Sequence, residues 1–445
     1  MKLPVPAPQL FDTSDLEGMD FARILANKQS PEVKGVYDHW DHVRHLPPPA
    51  GLAPKEWWYA IKMARMGLAM SLPLKDKNGT NFKVSLTSSM QRRLHFLDRE
   101  AAGAILGADV VEDDATRKRF LIRSLIEEAM TSSQLEGAST TRQIAKEMLS
   151  TGRQPRDRSE QMIYNNYAMM QSLRSLIDRP LSVQTIKDIH RRLMVDASDE
   201  PDQAGRFRTA EDNVVIEDRA DPAIVLHVPP PASEMDARMQ ALCDFANSGD
   251  EGDFLSPIVK AIAIHFQIGY DHPFCDGNGR TARTLFYLSM LKSGYWMTEY
   301  LSISSVLKKA PAQYVTAYLY AESDGADMSY FIWHQLCVIE EAVNSLRAYL
   351  ARKAKERIQA ERLLRPGSPL GAKLNHRQRA LILHAIRHPD SLYEISGHQA
   401  AHRVTYPTAR SDLLGLAELK LLDQHRSGKS FVFSPVSDLS NRLGK

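Results

Sequence analysis

His272, Asp276, Arg280 and Arg283 fall within one stretch of twelve residues, HPFCDGNGRTAR, together with Gly277, Asn278 and Gly279. Each residue type brings a distinct chemistry. An imidazole can act as a general base near neutral pH. A carboxylate suits Mg²⁺, which is usually held by one or two acids and shared with substrate phosphates. Gly277-Asn278-Gly279 opens an apolar-patterned segment, GNGRTARTLFYLSMLKSG, that reads as a helix. The first turn of a helix offers unpaired N–H groups to an anion. Glycine lets backbone approach phosphate without a Cβ in the way. Arg280 and Arg283 are three apart, hence on one face, and their planar forks match phosphate oxygens. Two cations at a helix N-terminus oppose its dipole, and a bound anion would account for them. Base, hard-metal ligand and phosphate grip together point to transfer of a phosphate-containing group onto a protein hydroxyl.

These residues need a scaffold, and helical spacing supplies one. The run SPIVKAIAIHFQIGY leads directly into the stretch. Apolar residues three and four apart also predict helices over 88–107, 114–136 and 182–195. A long helix is expected from about Met328 to Leu364. Gly137 sits where a C-cap glycine belongs. The first 80 residues are less regular, with PPPAGLAP at 47–54 and a KDKNGTN turn, and are expected to wrap the helical body. Residues 205–231 break the pattern. The β-branched runs NVVIED and AIVLHV flank a polar turn that includes Asp221-Pro222, which predicts a β-hairpin. Beyond a Pro/Gly linker at 365–371, the helical segments HRQRALILHAIRH, EISGHQAAHRV and YPTARSDLLGLAELKLL precede two short strands about a Gly-Lys turn. Three helices and a hairpin outline a winged helix-turn-helix. Residues 371–445 hold eleven Lys and Arg against six Asp and Glu, a net +5.

The chain of 445 residues allows two or three domains at about 150 residues each. With 43% hydrophobic and 25% charged residues, the composition is that of a water-soluble globular protein. A net charge of +2 gives no global argument for nucleic acid or membrane surfaces. No apolar run is long enough to span a bilayer, and the N-terminus lacks the apolar block of a signal peptide. Cys243, Cys275 and Cys337 are too few and scattered for a disulfide framework or zinc site. A cytoplasmic location is expected.

HPFCDGNGRTAR resembles the Fic motif, HxFx(D/E)GNGRxxR, at every defined position, and the likeness extends over roughly residues 110–345. Members of the Fic/Doc family mostly transfer AMP from ATP to a Ser, Thr or Tyr hydroxyl of a protein. The resemblance implies a mainly α fold: a Fic-type helical bundle with a β-hairpin flap, here followed by the small winged helix-turn-helix domain. It divides the chain into an N-terminal wrapping region (1–109), a catalytic domain (110–364), a linker (365–371) and the winged-helix-like domain (372–445). It makes His272 the general base and Asp276 the Mg²⁺ ligand. Gly277, Asn278 and Gly279 become the anion hole, Arg280 and Arg283 the grip on the outer phosphates, and Phe274 the loop's anchor. Tyr314 stands beside Gln313 where a Tyr-Tyr pair often lines the adenine pocket. The phosphorylating Doc branch has lysine where this chain has Gly279, which favours AMP transfer. GRFR at 205–208 and the hairpin after it resemble the flap that docks a target segment by strand addition. Asp271, just before the base, is expected to face solvent.

SSQLEG, residues 132–137, matches the family's inhibitory pattern [S/T]xxxE[G/N], with Ser132, Glu136 and Gly137 at its defined positions. In relatives this glutamate pairs with the second arginine of the motif, here Arg283. A carboxylate so placed occupies the fork that the γ-phosphate of ATP needs. In some relatives the same glutamate positions water to remove AMP. The partners implied are a protein substrate on the flap, the chain itself as a target, and a second copy. Two alternatives remain open. A different nucleotide, such as UMP, could be transferred. Or the chain could be a DNA-binding regulator with a vestigial or auxiliary Fic domain, acting through the tail, with Arg403 and Arg410 near a recognition helix and Arg426 and Lys429 on the wing; a winged helix also serves to dock a protein partner.

Overall fold

The computed structural model describes residues 2–10, 20–49, 51–101, 114–249, 254–388, 391–427, 430–436 and 439–443. The chain divides into two compact units, residues 1–105 with 121–344 and residues 106–120 with 345–445.

In the first unit, helix α1 (Pro54–Met66) starts with proline at its first position, where no N–H is needed. It buries Trp57, Trp58, Tyr59 and Ile61 against Ile24, Val33, Trp40 and Val43. Strands β1 (Ala69–Lys75) and β2 (Asn81–Ser85) follow as an antiparallel hairpin. Asp76 Oδ1 shapes its turn by accepting from the N–H groups of Asn78 and Thr80, each at 2.8 Å. The hairpin is tied to the rest of the unit: Lys83 donates to the Ala326 carbonyl and Met328 to the Lys83 carbonyl, each at 2.9 Å. Lys62 adds an ion pair to buried Asp324 at 2.9 Å.

Helix α2 (Ser88–Arg99) realises the first half of the expected helix. Residues 102–107 and the 109/110 boundary lie outside the described residues. Helices α3 (Asp114–Leu135), α4 (Arg142–Thr151), α5 (Arg158–Ser172) and α6 (Val183–Met194) follow. The end of α3 is closed by the Ala138 N–H on the Ser133 carbonyl at 3.0 Å, with Gly137 at φ 101°. That is a Schellman closure, which glycine adopts without Cβ strain.

The hairpin is present with a tighter turn than the segment between the two runs suggests. Strands β3 (Ile216–Asp218) and β4 (Asp221–His227) pair antiparallel, with Asp218 opposite Asp221. The turn is therefore Arg219-Ala220, and Asp221-Pro222 begin the second strand. A two-stranded ribbon leaves an edge toward which Pro222 need donate no N–H. The first strand is shorter than expected, because Asn213 takes φ 45° after the 3₁₀ turn Ala210–Asp212. His227 anchors the ribbon's base, with Nδ1 2.8 Å from Glu322 Oε2 and Nε2 2.8 Å from the Tyr270 carbonyl.

Helices α7 (Met235–Asn247), α8 (Pro257–Asp271) and α9 (Asn278–Lys292) complete the centre. Ile258, Ile262, Phe266 and Ile268 of α8 are fully buried, as are Ala282 and Met290 of α9. A helix apolar all round belongs in the middle of a bundle. This explains why the stretch from His272 to Arg283, which joins α8 to α9, is held so firmly. Helices α10 (Pro311–Ser323) and α11 (Ser329–Leu363) come next.

The second unit contains α12 (His376–Arg387), β5 (Tyr393–Glu394), α13 (Ile395–His402), α14 (Tyr406–Glu418), β6 (Leu422–Ser427) and β7 (Ser430–Pro435). The strands form one antiparallel sheet in the order β5-β7-β6. Its core joins Leu381, Ile382, Ile395, Leu413, Leu416 and Phe433. Buried Asp412 receives Arg377, Asn375 and His398, which pins α14 to α12 and α13. Strand β5 is an addition to the sequence reading, because two residues are too short to show a period.

Candidate active site

His272 ends α8 with φ 47°, a left-handed conformation that strains any residue with a Cβ. Arg208 holds the backbone there. Its Nε donates to the His272 carbonyl at 2.8 Å, its Nη2 to the carbonyls of Asp271 and Pro230, and its own N–H to the Pro273 carbonyl at 2.9 Å. The ring Nδ1 lies 3.0 Å from the Gly269 carbonyl, which can only accept. Nδ1 therefore carries the proton and Nε2 presents a lone pair. Burial pulls the His272 pKa below its ordinary value, opposed by the Gly269 hydrogen bond. The imidazole is thus poised as a neutral base.

Asp271 does not face solvent. Its side chain is fully buried, with Oδ1 2.9 Å from Arg238 Nε and Oδ2 2.9 Å from Gln267 Nε2. It turns toward α7, where Arg238, from a distant segment, offers a largely shielded cation. Burial pushes its carboxyl up, and Arg238 opposes that.

The loop after the base is clamped from within. Asn278 accepts from the Phe274 N–H at 3.0 Å and donates to the Phe274 carbonyl at 2.8 Å. Its side chain thus shapes the loop. The N–H groups of Asn278 and Gly279 belong to the first turn of α9 and have no acceptor within it. Phe274 is fully buried and stacks on His190, with ring centroids 3.6 Å apart. His190 Nδ1 accepts from the Gly205 N–H and its Nε2 donates to the Asp276 carbonyl, each at 2.9 Å. Both roles require a neutral ring, and burial lowers its pKa to about 4. Gly277 has φ 77°, and a Cβ there would stand 2.7 Å from Met194 Sδ.

Four guanidinium groups meet two carboxylates at the mouth of this loop. Arg283, buried in α9, donates from Nε to Ser132 Oγ at 2.8 Å and from Nη2 to Glu136 Oε1 at 2.7 Å. Burial would raise the Glu136 carboxyl, but Arg283, with Arg280 and Arg219 added, holds it below its usual range. Arg283 is correspondingly pushed up by Glu136 against its own burial. The two shifts agree on a fully charged pair. Arg280, also buried, reaches the Leu193 carbonyl at 3.2 Å and Met194 Sδ at 3.0 Å, while its Nε has no partner. Asp276 Oδ1 accepts from the Gly277 N–H at 2.6 Å. Its Oδ2 lies 3.6 Å from Arg280 and 3.7 Å from Arg158. Arg219, on the turn of the β-ribbon, lies 3.9 Å from Glu136 Oε2.

Tyr314, on α10, places its hydroxyl 2.8 Å from His265 Nε2 and 3.4 Å from the Tyr318 hydroxyl. Burial raises its pKa, and nearby Arg283 opposes the rise. The fold therefore brings His272, Asp276, Gly277, Asn278, Gly279, Arg280 and Arg283 together with Ser132, Glu136 and Gly137, and sets Tyr314 beside them. Sequence reasoning misses Arg158, His190, Arg208 and Arg219. GRFR was the only signal for any of them. It pointed to the ribbon, whereas its last arginine braces the base.

Residues 180–290 match the Fic/DOC family, so this part of the chain is a Fic domain. Among curated proteins it is similar to protein adenylyltransferase Fic of Nematostella vectensis, 34% identical over 136 residues (31% of this chain, 28% of that one). It is also similar to protein adenylyltransferase Fic of Drosophila erecta, 27% identical over 212 residues (46% and 39%). The chain thus spans well under half the length of these relatives. Among solved structures it resembles a Fic family protein from Desulfovibrio desulfuricans G20, with 20% identity and a TM-score of 0.49, covering 78% of this chain and 96% of that one.

Proposed function

We propose that the chain is a protein adenylyltransferase that moves AMP from ATP onto a Ser, Thr or Tyr hydroxyl of a target protein or of itself, restrained by Glu136. The observation that carries this is His272, with Nδ1 committed to Gly269 and Nε2 open, beside the first turn of α9. The acceptor oxygen attacks the α-phosphorus and gives its proton to His272 Nε2. The new O–P bond forms as the α–β bridging bond breaks, and pyrophosphate leaves. The backbone of Gly277, Asn278 and Gly279 receives the developing charge, and Arg280 and Arg283 hold the outer phosphates.

The donor set fits Mg²⁺ shared with phosphate. Among the described residues no group of three or more His, Cys, Asp or Glu gathers. Asp276 is half exposed and is the one acid of the loop. Mg²⁺ takes this kind of site, one carboxylate completed by substrate oxygens and water. When bound it would offset phosphate charge. Glu136 occupies the Arg283 fork that a terminal phosphate needs, which supports self-inhibition. Tyr314 lies close enough to Arg283 to border the nucleotide. The exposed edges of the ribbon support docking of a target strand.

The second unit supports a docking role. Its helix–strand–helix–helix–strand–strand order is that of a winged helix, and Arg403, Arg410 and Arg426 are exposed. The partner proposed for it is duplex DNA or a docked protein. Lys429 lies outside the described residues. Among the described residues no helix is long and apolar enough to cross a membrane.

The test uses ATP labelled at the α- or the γ-phosphate, with Mg²⁺ and host lysate as target. α-label on protein with Glu136→Gly, absent with Glu136→Gly/His272→Ala and absent from γ-label, is the expected outcome. No label in any lane overturns the proposal. Electrophoretic mobility shift with duplex DNA tests the tail separately.

A further inference from the structure

The family motif accounts for two arginines at the site, and the structure places four. Arg158 opens α5 and reaches Asp276 at 3.7 Å. Arg219 sits on the two-residue turn of the β-ribbon and reaches Glu136 at 3.9 Å. Arg158 is also ion-paired with Asp199, so with Arg280 and Arg283 they bring four positive charges to three carboxylates, Asp276, Glu136 and Asp199, an excess of one. Arg280 is fully buried, yet its Nε lacks a partner and its Nη2 donates to a methionine sulfur, with Asp276 at 3.6 Å. Such a guanidinium is under-satisfied. Arg158 begins a helix, where a cation opposes the dipole. Arg158 donates to exposed Asp199, but it stands too far from Asp276, and Arg219 too far from Glu136, for good hydrogen bonds. The arrangement suits a more highly charged anion than either carboxylate.

We propose that Arg158 and Arg219 are further phosphate-positioning residues, which engage the β- and γ-phosphates of the nucleotide beside Arg280 and Arg283. Arg219 exchanges Glu136 for the terminal phosphate, so the ribbon that docks the target also senses a loaded site. This rests on the adenylyl-transfer reading above.

The experiment is calorimetry with Mg²⁺-ATP and, separately, AMP on full-length Glu136→Gly protein, then with Arg158→Ala or Arg219→Ala added. Each addition should weaken ATP by about fivefold, the scale of an exposed ion pair, and leave AMP within about twofold. Lysine at either position should recover part of the loss. Equal weakening of ATP and AMP would mean a structural role and overturns the proposal, as does no change in either. If Glu136→Gly binds ATP and transfers label while both arginine variants match it, this inference fails and the proposed activity stands. If Glu136→Gly binds no ATP, both fail.

Discussion

The carboxylate of Glu136 occupies the space that a side chain at Gly279 would need: a Cβ there would stand 2.1 Å from Oε1 and 3.0 Å from Arg283 Nη1. The Glu136–Arg283 contact thus depends on glycine at the opening turn of α9 as much as on its two charged partners. Under the proposed function, the glycine that lets Glu136 approach would also let phosphate approach the backbone, and the two would compete for one space.

Removing the carboxylate should open that space. Glu136→Gly is expected to tighten ATP on the order of tenfold to a hundredfold, the worth of a charge-assisted hydrogen bond. Ser132→Ala removes only the bond to Arg283 Nε and should release less. Calorimetry on the two variants checks the order. Equal ATP affinity in Glu136→Gly and the unaltered protein would sink the lock.

His272→Ala in the Glu136→Gly background should reduce transfer by about 10²- to 10⁴-fold, the usual share of a positioned base. ATP affinity should stay close to that of the parent. Single-turnover rates at saturating ATP make this measurement, and a matching loss of ATP binding would argue against the assignment.

The pH profile follows from the direction of the His272 shift. Burial lowers its folded pKa below the ordinary 6.5. The neutral base therefore persists as pH falls through 6.5, and transfer is lost only as pH drops through the lower folded value. An acid limb at or above 6.5 in the rate of the Glu136→Gly enzyme would contradict a buried neutral base.

Arg208→Ala should slow transfer without matching the full loss of His272→Ala. It removes the donors that hold the His272 and Asp271 carbonyls. Carbonyls stranded in this way cost about 1–3 kcal/mol of stability. The combination to look for is a lower melting temperature with kcat falling more than ATP affinity. Unchanged stability and rate would show that the left-handed backbone at His272 needs no brace.

Asp271→Ala should be among the more damaging single changes remote from the nucleotide. It leaves Arg238 without the buried carboxylate 2.9 Å from its Nε. Breaking a buried pair from one side typically costs about 3–5 kcal/mol. Thermal unfolding would show it, and a shift within that of a surface substitution would refute it.

The sequence by itself determined what is local. The helix opened by Gly277-Asn278-Gly279, the glycine closure at Gly137 and the apolar periodicity of the central helices all depend on spacing within a few residues. The pairing of Glu136 with Arg283 was available only through the family pattern, because 147 residues separate the two. The tertiary structure decided everything that rests on distant segments meeting. Asp271 was expected in solvent and is buried, since Arg238 approaches from another helix. The ribbon turns at Arg219-Ala220 because cross-strand register places Asp218 opposite Asp221, which a proline one residue further on disguised. His190, Arg208, Arg158 and Arg219 carry no signal for this site in their own neighbourhoods. Their importance comes from burial and from charges that only the folded chain brings together.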